Sequence, residues 1–146
     1  MDNIKIRTVS IDDSDDICAI SGKYLGYPCE PSLVREKIGN LNSDREAVFV
    51  AVKDDNSVGY IHVEKYDVLY FETMANILGL AVKSEYQHNG IGKALVSAAE
   101  AWAAENGIKS MRLNSGASRT AAHEFYKHLG YESDKGQLRF TKNLSL

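Results

Sequence analysis

The sequence predicts an α/β protein with one mixed, mostly antiparallel central sheet of six to seven strands, flanked by about four helices. Two observations predict this architecture. Apolar runs of strand length alternate with helix-period patterns around the centre of the chain, and hairpin-like strand pairs lie at the edges. This order of elements is typical of a mixed sheet with helices on its faces. Because no linker, internal repeat or low-complexity stretch interrupts the chain, we expect one domain over residues 1–146.

The first third of the chain contains one predicted strand and two short helices. Residues 4–9 alternate apolar and polar side chains, as a half-buried strand does. A helix capped by residues 12–14 ends at residues 26–28, and a second helix begins at Pro31 and ends near residues 39–40. The pattern leaves open whether these helices form one wall of a substrate cleft or only pack on the sheet.

Three more strands are predicted in the middle of the chain. Residues 47–52 form a nearly continuous apolar run, as expected of a strand buried on both faces. Turn residues 53–57 join this run to an alternating strand over residues 58–65, so the two form a hairpin. Residues 67–74 are expected to connect the hairpin to a strand over residues 75–82, which is again apolar on both faces.

Two helices and one strand follow. The first helix begins at about Gly90 and ends at residues 106–107, and residues 108–113 form the strand. The last helix is capped by Ser118 and ends at Gly130. Its apolar stripe comprises Ala122, Phe125, Tyr126 and Leu129, and the elements after it are Tyr131 and residues 137–144, predicted to form a short final hairpin.

Composition and charge are those of an ordinary globular protein. Hydrophobic residues make up 44% of the chain, and no apolar run approaches the ~18 residues of a membrane span. A net charge of −3 argues against a nucleic-acid partner and slightly favours cationic substrates. Two cysteines, Cys18 and Cys29, fit a reduced compartment, and the N-terminus does not open a signal peptide. We expect a cytoplasmic protein without membrane partners, as a monomer or a homodimer.

The histidines and cysteines predict neither a metal site nor a thiol nucleophile. His123 and His128 are five residues apart on a helix, which is a poor ligand spacing, and no Cys–His set has the spacing of a zinc site. Neither cysteine has a nearby histidine pattern that would activate it. No metal is therefore expected.

The stretch from Gln87 to Leu95 joins an apolar strand to an amphipathic helix and carries two glycines where the turn becomes the helix. A helix start exposes unpaired N–H groups at the positive end of the macrodipole, so it suits a phosphate. Glycine lets the backbone approach an anion closely. On the glycine pattern alone, a phosphate site and an ordinary helix entry carry equal weight.

Two familiar phosphate motifs are excluded at this turn. In a P-loop, Gly92-Lys93 would be followed by Ser or Thr and preceded by a glycine at position 87, but Ala94 and Gln87 stand there. The dinucleotide fingerprint requires a third glycine where Leu95 stands. What remains is Gln-x-x-Gly-x-Gly, which resembles the pyrophosphate loop of the GNAT superfamily of acyl-CoA-dependent N-acetyltransferases.

A second motif strengthens this resemblance. Ala122-x-x-Phe125-Tyr126-x-x-x-Gly130-Tyr131 is similar to the family's Ala-x-x-Phe/Leu-Tyr-x-x-x-Gly-Phe, and it follows the first motif in the family's order and spacing. Residues 58–61 also match the family's typical third strand. By motif the resemblance covers roughly residues 46–133.

The resemblance implies an acetyl-CoA site with named residues. Its pyrophosphate would lie on the backbone amides of Gln87, His88, Asn89, Gly90, Ile91, Gly92 and Lys93. Pantetheine would pair, as an extra strand would, with Leu80, Ala81 and Val82, where a backbone N–H can stabilise the oxyanion of the thioester carbonyl. Asn114 matches a position that touches the cofactor, and Tyr126 matches both a cofactor contact and the general acid. Such an acid helps the thiolate to leave, and a role as a core residue is the alternative for Tyr126.

The general base is not given by the resemblance. Many relatives carry a carboxylate in the middle of the strand before the pyrophosphate loop, but residues 77–80 contain none. Glu72, just upstream of that strand, is the first candidate, and His62 and Glu64 are the others. Arg119 is a second departure, since many relatives have Asn at that position.

The predicted function is therefore direct transfer of an acetyl group from acetyl-CoA to a primary amine of a small molecule. A protein or peptide amine is an alternative acceptor. A non-catalytic acyl-CoA-binding domain is the alternative from another class, because the expected strand carboxylate is missing.

Overall fold

The computed structural model of the protein describes residues 3–134 and 136–145. The chain divides into two compact units, Met1–Asn114 and Ser115–Leu146, which we describe separately. Within the described residues, the first unit contains the sheet and three α-helices, and the second contains one α-helix. A single domain over residues 1–146 stays a prediction.

Five strands form one sheet in the described part of the chain, and their order in the sheet is their order in the sequence. They are β1 (Lys5–Thr8), β2 (Glu46–Lys53), β3 (Asn56–Val68), β4 (Phe71–Val82) and β5 (Met111–Leu113). Neighbours from β1 to β4 are antiparallel, and β5 is parallel to β4. The mixed, mostly antiparallel α/β architecture is thus confirmed, with five strands instead of the six to seven predicted.

The predicted final hairpin is wrong. Tyr131 and residues 137–144 contain no strand, and Leu138, Phe140 and Leu144 are exposed. Alternating apolar residues specify a strand only when one of its faces covers a core, and these three side chains face solvent.

The two hairpins of the sheet are longer and tighter than predicted. β2 and β3 are joined at Asp54 and Asp55, whose φ angles of 51° and 66° are those of a two-residue hairpin turn. The predicted connection over residues 67–74 is wrong, because β3 and β4 continue through it and leave only residues 69–70 as the turn. Cross-strand aromatic packing explains the extension, since Tyr66 stacks on Phe71 at 6.4 Å between ring centroids.

The first helix is α1 (Ser14–Ile20), preceded by a 3₁₀ turn at Ile11–Asp13 and extended by a π-helical turn at Ser21–Leu25. Asp13, one of the predicted cap residues, holds the N-cap position of α1 but makes no side-chain cap bond there. The side-chain cap is Ser10, which precedes the 3₁₀ turn and forms a reciprocal capping box with Asp13. The Asp13 carboxylate, 4% exposed, accepts four hydrogen bonds: from Arg7 Nη1 (2.8 Å) and Nη2 (2.9 Å), Ser10 N (2.7 Å) and Ser57 Oγ (2.8 Å). Burial opposes its ionisation, but these donors hold the pKa of Asp13 below its ordinary value.

The second and third helices match their predictions. Helix α2 (Pro31–Gly39) begins with the predicted proline. Helix α3 (Ile91–Glu105) ends before Gly107, whose φ is 72°. Its buried residues are Ile91, Leu95, Val96, Ala99, Trp102 and Ala103.

The two faces of the sheet differ in what covers them. Helix α3 packs on the face that carries Gly59, where an added Cβ would lie 3.4 Å from Leu95 Cδ1 and 3.0 Å from the Ala81 carbonyl oxygen. Because side chains alternate along a strand, Tyr60 lies on the opposite face, and its hydroxyl hydrogen-bonds Ser21 Oγ at 2.7 Å. We call this second face the polar face, since β3 also places His62 and Glu64 there.

The second unit contains α4 (Thr120–His128). The predicted cap, Ser118, is wrong: the helix begins after Arg119, and no side chain caps it. Instead, the Thr120 N–H donates a backbone hydrogen bond to the Ser118 carbonyl at 3.0 Å. Gly130 follows the helix with a φ of 96°, as its predicted place after the helix end requires.

Candidate active site

The turn between β4 and α3 is built by two residues with left-handed backbone. After Val82 the chain makes a 3₁₀ turn at Ser84–Tyr86, and then His88 and Gly90 adopt φ angles of 68° and 81°. The Gln87 side chain closes the turn, because its Nε2 donates to the Val82 carbonyl at 3.0 Å. Gln87 therefore fixes the loop on the end of β4 through its side chain.

The start of α3 presents a continuous set of free backbone donors. The first helical bond runs from Ala94 N–H to the Gly90 carbonyl (3.0 Å), and no side chain caps this end. Consequently none of the amides from His88 to Lys93 has an acceptor within the described residues. Their N–H groups lie at the positive end of the helix macrodipole, which favours an anion.

In the part of the chain that the structure describes, the edge of β4 that faces away from β3 has no strand beside it next to this turn. β5 pairs with β4 only from Ala75 to Ile77, so among the described residues Leu80, Ala81 and Val82 have a neighbouring strand on the β3 side alone. A β-bulge at Leu78 marks the place where β5 leaves, since His62 pairs with Gly79 and Val63 with Ile77. The open edge can accept an extended chain through backbone hydrogen bonds.

The polar face carries a histidine–carboxylate pair close to this bulge. His62 Nε2 lies 2.8 Å from Glu46 Oε1, and the two side chains are 29% and 25% exposed. A carboxylate only accepts hydrogen bonds, so Nε2 carries the proton and Nδ1 of the neutral ring is left as the basic nitrogen. Burial opposes ionisation of Glu46, but hydrogen bonds from His62 and the Asn42 N–H hold the pKa of its carboxyl below the ordinary value.

A second polar group lies beside this pair and spans three strands. Asn76 Nδ2 donates to Glu64 Oε2 at 2.9 Å, and Arg112 Nη1 donates to Asn76 Oδ1 at 2.7 Å. The Arg112 guanidinium lies 4.1 Å from the centroid of the Tyr66 ring. Arg112 Nη2 lies 3.4 Å from Asn114 Oδ1, so Asn114 is placed at the point where β5 ends.

Glu72 lies at the other end of β4. It is exposed, and eight residues separate it from Leu80, which is roughly 25 Å along a strand. It lines a surface pocket of about 400 Å³ together with Lys65 and Lys109. The structure therefore brings His62 and Glu64, but not Glu72, to the bulged half of β4.

In the second unit, Tyr126 is half-buried between two aromatic rings. Its ring centroid lies 5.1 Å from that of Phe125 and 5.8 Å from that of Tyr131. Burial raises the pKa of Tyr126, and the positive charge of Arg119 opposes that rise only in part. Its hydroxyl, which has no hydrogen-bond partner in the described ranges, is thus a protonated donor at neutral pH.

Several of these residues were missed by sequence reasoning. Glu46, Asn76 and Arg112 join the polar face only through cross-strand register, which no local pattern contains. The bulge at Leu78 could have been predicted from the sequence, because a glycine inside an apolar strand, here Gly79, is typical of a bulge.

The two cysteines lie beside each other, and they form no thiolate site. Cys29 Sγ donates to Cys18 Sγ at 3.2 Å, and this bond, together with burial, raises the pKa of Cys18 to about 11. In residues 3–134 and 136–145, no three His, Cys, Asp or Glu side chains are grouped to hold a metal ion. No helix in the same ranges is long and apolar enough to cross a membrane.

Within the described residues, the chain is thus a mixed α/β protein whose fourth strand has an open edge beside an uncapped helix start. The model of the acetyltransferase (GNAT) family matches residues 14–131, so the chain belongs to that family. This match confirms the resemblance based on the two motifs.

Two relatives and one solved structure illustrate the similarity. An uncharacterized N-acetyltransferase of Chlorobaculum tepidum is 32% identical, over 80% of this chain and 70% of the relative. An uncharacterized N-acetyltransferase of Methanocaldococcus jannaschii is 29% identical, over 95% of this chain and 66% of the relative, so the chain spans about two thirds of their lengths. The fold is shared with AAC(6')-Iy in complex with the bisubstrate analogue CoA-S-monomethyl-acetylneamine, at a TM-score of 0.81 and 18% identity over 97% and 99% of the two chains.

Proposed function

We propose that this protein transfers an acetyl group from acetyl-CoA directly to a primary amine of a small molecule. One observation carries the proposal: the unbroken set of free amides from His88 to Lys93 lies next to the open edge of β4. The first feature suits a pyrophosphate and the second an extended pantetheine chain. Membership of the GNAT family supports the reaction type, and the bisubstrate complex of the structural neighbour supports CoA and a small amine as the two substrates.

The donor site follows from these two features. The pyrophosphate lies on the amides from His88 to Lys93, with Gln87 holding the loop to β4. The pantetheine runs along Leu80, Ala81 and Val82 toward the bulge, and Asn114 lies at the acetyl end. A backbone N–H freed near the bulge stabilises the oxyanion of the thioester carbonyl.

We assign the general base to His62 in preference to Glu64 and Glu72. Its Nδ1 is free to accept a proton, Glu46 fixes its tautomer, and its cross-strand neighbour Gly79 has no side chain to cover it. Glu72 is too far along β4, and one carboxylate oxygen of Glu64 is already engaged by Asn76. The amine nitrogen therefore gives its proton to His62 Nδ1 while its lone pair forms the bond to the thioester carbon.

We assign the general acid to Tyr126, on its motif and on the state of its hydroxyl. When the tetrahedral intermediate collapses, the carbon–sulfur bond breaks and the phenol gives its proton to the departing thiolate. A raised pKa keeps this phenol protonated until that step. The buried Cys18, with its high pKa, is a poor nucleophile, which favours direct transfer over an acyl-enzyme.

The reaction is tested by release of free thiol from acetyl-CoA across a panel of amines, which includes polyamines, aminoglycosides, amino acids and peptides. We expect turnover with at least one small amine. Turnover with peptides alone would replace the small-molecule acceptor by a protein one. Tight CoA binding without turnover on any amine would leave a non-catalytic acyl-CoA-binding domain.

The donor site is tested by a matched pair of glycine variants at the two ends of α3. Gly90 (φ 81°) and Gly107 (φ 72°) have similar left-handed backbones, so alanine strains both to a similar degree. We expect Gly90→Ala to raise the KM for acetyl-CoA by about tenfold, because it displaces the free amides, and Gly107→Ala to leave that KM unchanged. Equal KM values for acetyl-CoA in the two variants would show that the pyrophosphate does not bind at the start of α3.

A further inference from the structure

The polar group that crosses three strands points to the chemistry of the acceptor, and this inference rests on the proposed transferase function. Glu64 on β3 pairs in register with Asn76 on β4, which pairs in register with Arg112 on β5. All three side chains lie on the polar face, where Glu64 is two residues from His62. The group thus lies next to the proposed base.

The amide of Asn76 is locked between two opposite charges. Asn76 is 8% exposed, its Nδ2 donates to Glu64, and its Oδ1 accepts from Arg112. Only this orientation of the amide serves both neighbours, because a carboxylate can only accept and a guanidinium can only donate. The amide therefore bridges the carboxylate and the guanidinium, which form no direct ion pair within the described residues.

Arg112 consequently keeps unused binding capacity. A guanidinium has five N–H donors, and Arg112 directs one at Asn76 and a second, at 3.4 Å, at Asn114. Both acceptors are neutral, and no carboxylate of the described residues forms an ion pair with Arg112, whereas Arg7 and Arg45 pair with Asp13 and Asp67.

Its orientation is also fixed before any ligand arrives. The guanidinium lies over the Tyr66 ring at 4.1 Å, and the hydrogen bond to buried Asn76 restrains it further. A half-buried, pre-oriented guanidinium without an acid partner is suited to the bidentate binding of a carboxylate or a phosphate.

We propose that Arg112 binds an anionic group of the acceptor, a carboxylate or a phosphate, while the amine of the same molecule lies toward Glu64 and His62. Glu64 accepts from the amine, and His62 takes its proton. The acceptor is therefore a small molecule with an amine and an anionic group a few bonds apart. Polycationic amines are disfavoured, because they would place a positive charge beside Arg112.

The test compares acceptors that differ only in the anionic group. Amino acids are paired with their carboxamides, amino sugars with their phosphates, and spermidine and an aminoglycoside complete the set. In the wild type we expect kcat/KM to be at least about tenfold higher for the anionic member of a pair, as a charged hydrogen-bonded contact gives. The pair that shows the larger ratio distinguishes a carboxylate from a phosphate.

The same assay is repeated with Arg112→Gln and with a control, Arg45→Gln. Arg45 is already paired with Asp67 at 3.0 Å, so its loss should leave the ratio unchanged. Arg112→Gln should reduce the ratio to about one, with the KM for acetyl-CoA preserved. A CoA-dependent rise in melting temperature shows that each variant is folded.

The outcomes separate this proposal from the proposed function. Turnover of neutral or cationic amines that is insensitive to Arg112→Gln would overturn the anionic acceptor and leave the transferase intact. CoA binding without thiol release from any amine would overturn the transferase and this proposal together.

Discussion

Two hydrogen-bonded side-chain pairs have the same contact distance of 2.8 Å, but one carboxylate is fully hydrogen-bonded, whereas the histidine of the other pair keeps one ring nitrogen free within the described residues. In the Arg7–Asp13 pair, both carboxylate oxygens are fully used by four donors, and Asp13 is 4% exposed. In the His62–Glu46 pair, the 2.8 Å contact uses one ring nitrogen and leaves Nδ1 free on the polar face. The first pair can only hold β1, α1 and β3 together. The second pair keeps one ring nitrogen that can accept a proton.

The largest effect is expected for His62→Gln. Glutamine keeps a donor for Glu46 but has no basic nitrogen, so kcat should fall by about 100-fold or more. The melting temperature should change little, because the pair is partly exposed and weakly stabilising. Steady-state thiol release at saturating acetyl-CoA measures the effect.

Glu46→Gln is the matched control for His62. It leaves the base in place but removes the carboxylate that fixes its tautomer, so a smaller fall, of about tenfold, is expected. A larger fall in kcat for His62→Gln than for Glu46→Gln would identify His62 as the base. An unchanged kcat in His62→Gln would show that the His62–Glu46 pair, like the Arg7–Asp13 pair, is only a structural contact.

The reverse pattern is expected for Asp13→Asn. This change leaves the Arg7 charge unpaired and weakens two further hydrogen bonds, from Ser10 N and Ser57 Oγ, so the free energy of unfolding should fall by about 2 kcal/mol. For a protein of this size the melting temperature should fall by roughly 5–8 °C, with kcat at 25 °C unchanged.

Asp67→Asn is the control for Asp13. The side chains of the Arg45–Asp67 pair are 52% and 49% exposed, so loss of this pair should lower the free energy of unfolding much less than loss of the Arg7–Asp13 pair. Urea unfolding of the two variants measures the difference. Equal losses would show that saturation and burial do not distinguish these pairs.

Whether the sequence predicts a feature of this protein depends on how far apart along the chain the residues that form it lie. The glycine turn, α3 and the Tyr126 helix were predicted because their signals lie within a few residues: Gln87, Gly90 and Gly92 in one, Gly130 in the other. The pairs His62–Glu46 and Glu64–Asn76 depend on which residues face each other across strands, and a one-residue shift of register would separate them. The final hairpin failed for a related reason, since alternation does not say whether a partner edge exists.

Tyr126 extends the comparison to the second unit with a smaller expected effect. Its hydroxyl, like His62 Nδ1, makes no hydrogen bond within the described residues, so Tyr126→Phe should leave the melting temperature unchanged. We expect kcat to fall by about tenfold, less than for loss of the base, because a thiol is already a fair leaving group. The KM for acetyl-CoA should be nearly preserved. An unchanged kcat would remove Tyr126 as the acid, whereas a lower melting temperature would show that its hydroxyl stabilises the fold.

The smallest effect is expected in the pH dependence of the free energy of unfolding. In the acid range, the Arg7–Asp13 and His62–Glu46 pairs should contribute different amounts to it. The pKa of Asp13 is lowered on folding, so its charge stabilises the protein above the unfolded-state pKa of about 4 and ceases to do so as the pH falls through the folded value. The stability difference between wild type and Asp13→Asn, measured by urea unfolding, should therefore be constant from pH 7 to 5 and shrink toward pH 3. Glu46 has the same sign of shift, but its carboxylate is more exposed, so the corresponding change for Glu46→Gln should stay below about 1 kcal/mol. The opposite result would be a stability difference from wild type that changes more with pH for Glu46→Gln than for Asp13→Asn. The His62–Glu46 pair would then be the one that stabilises the fold, and the contrast with the Arg7–Asp13 pair would be reversed.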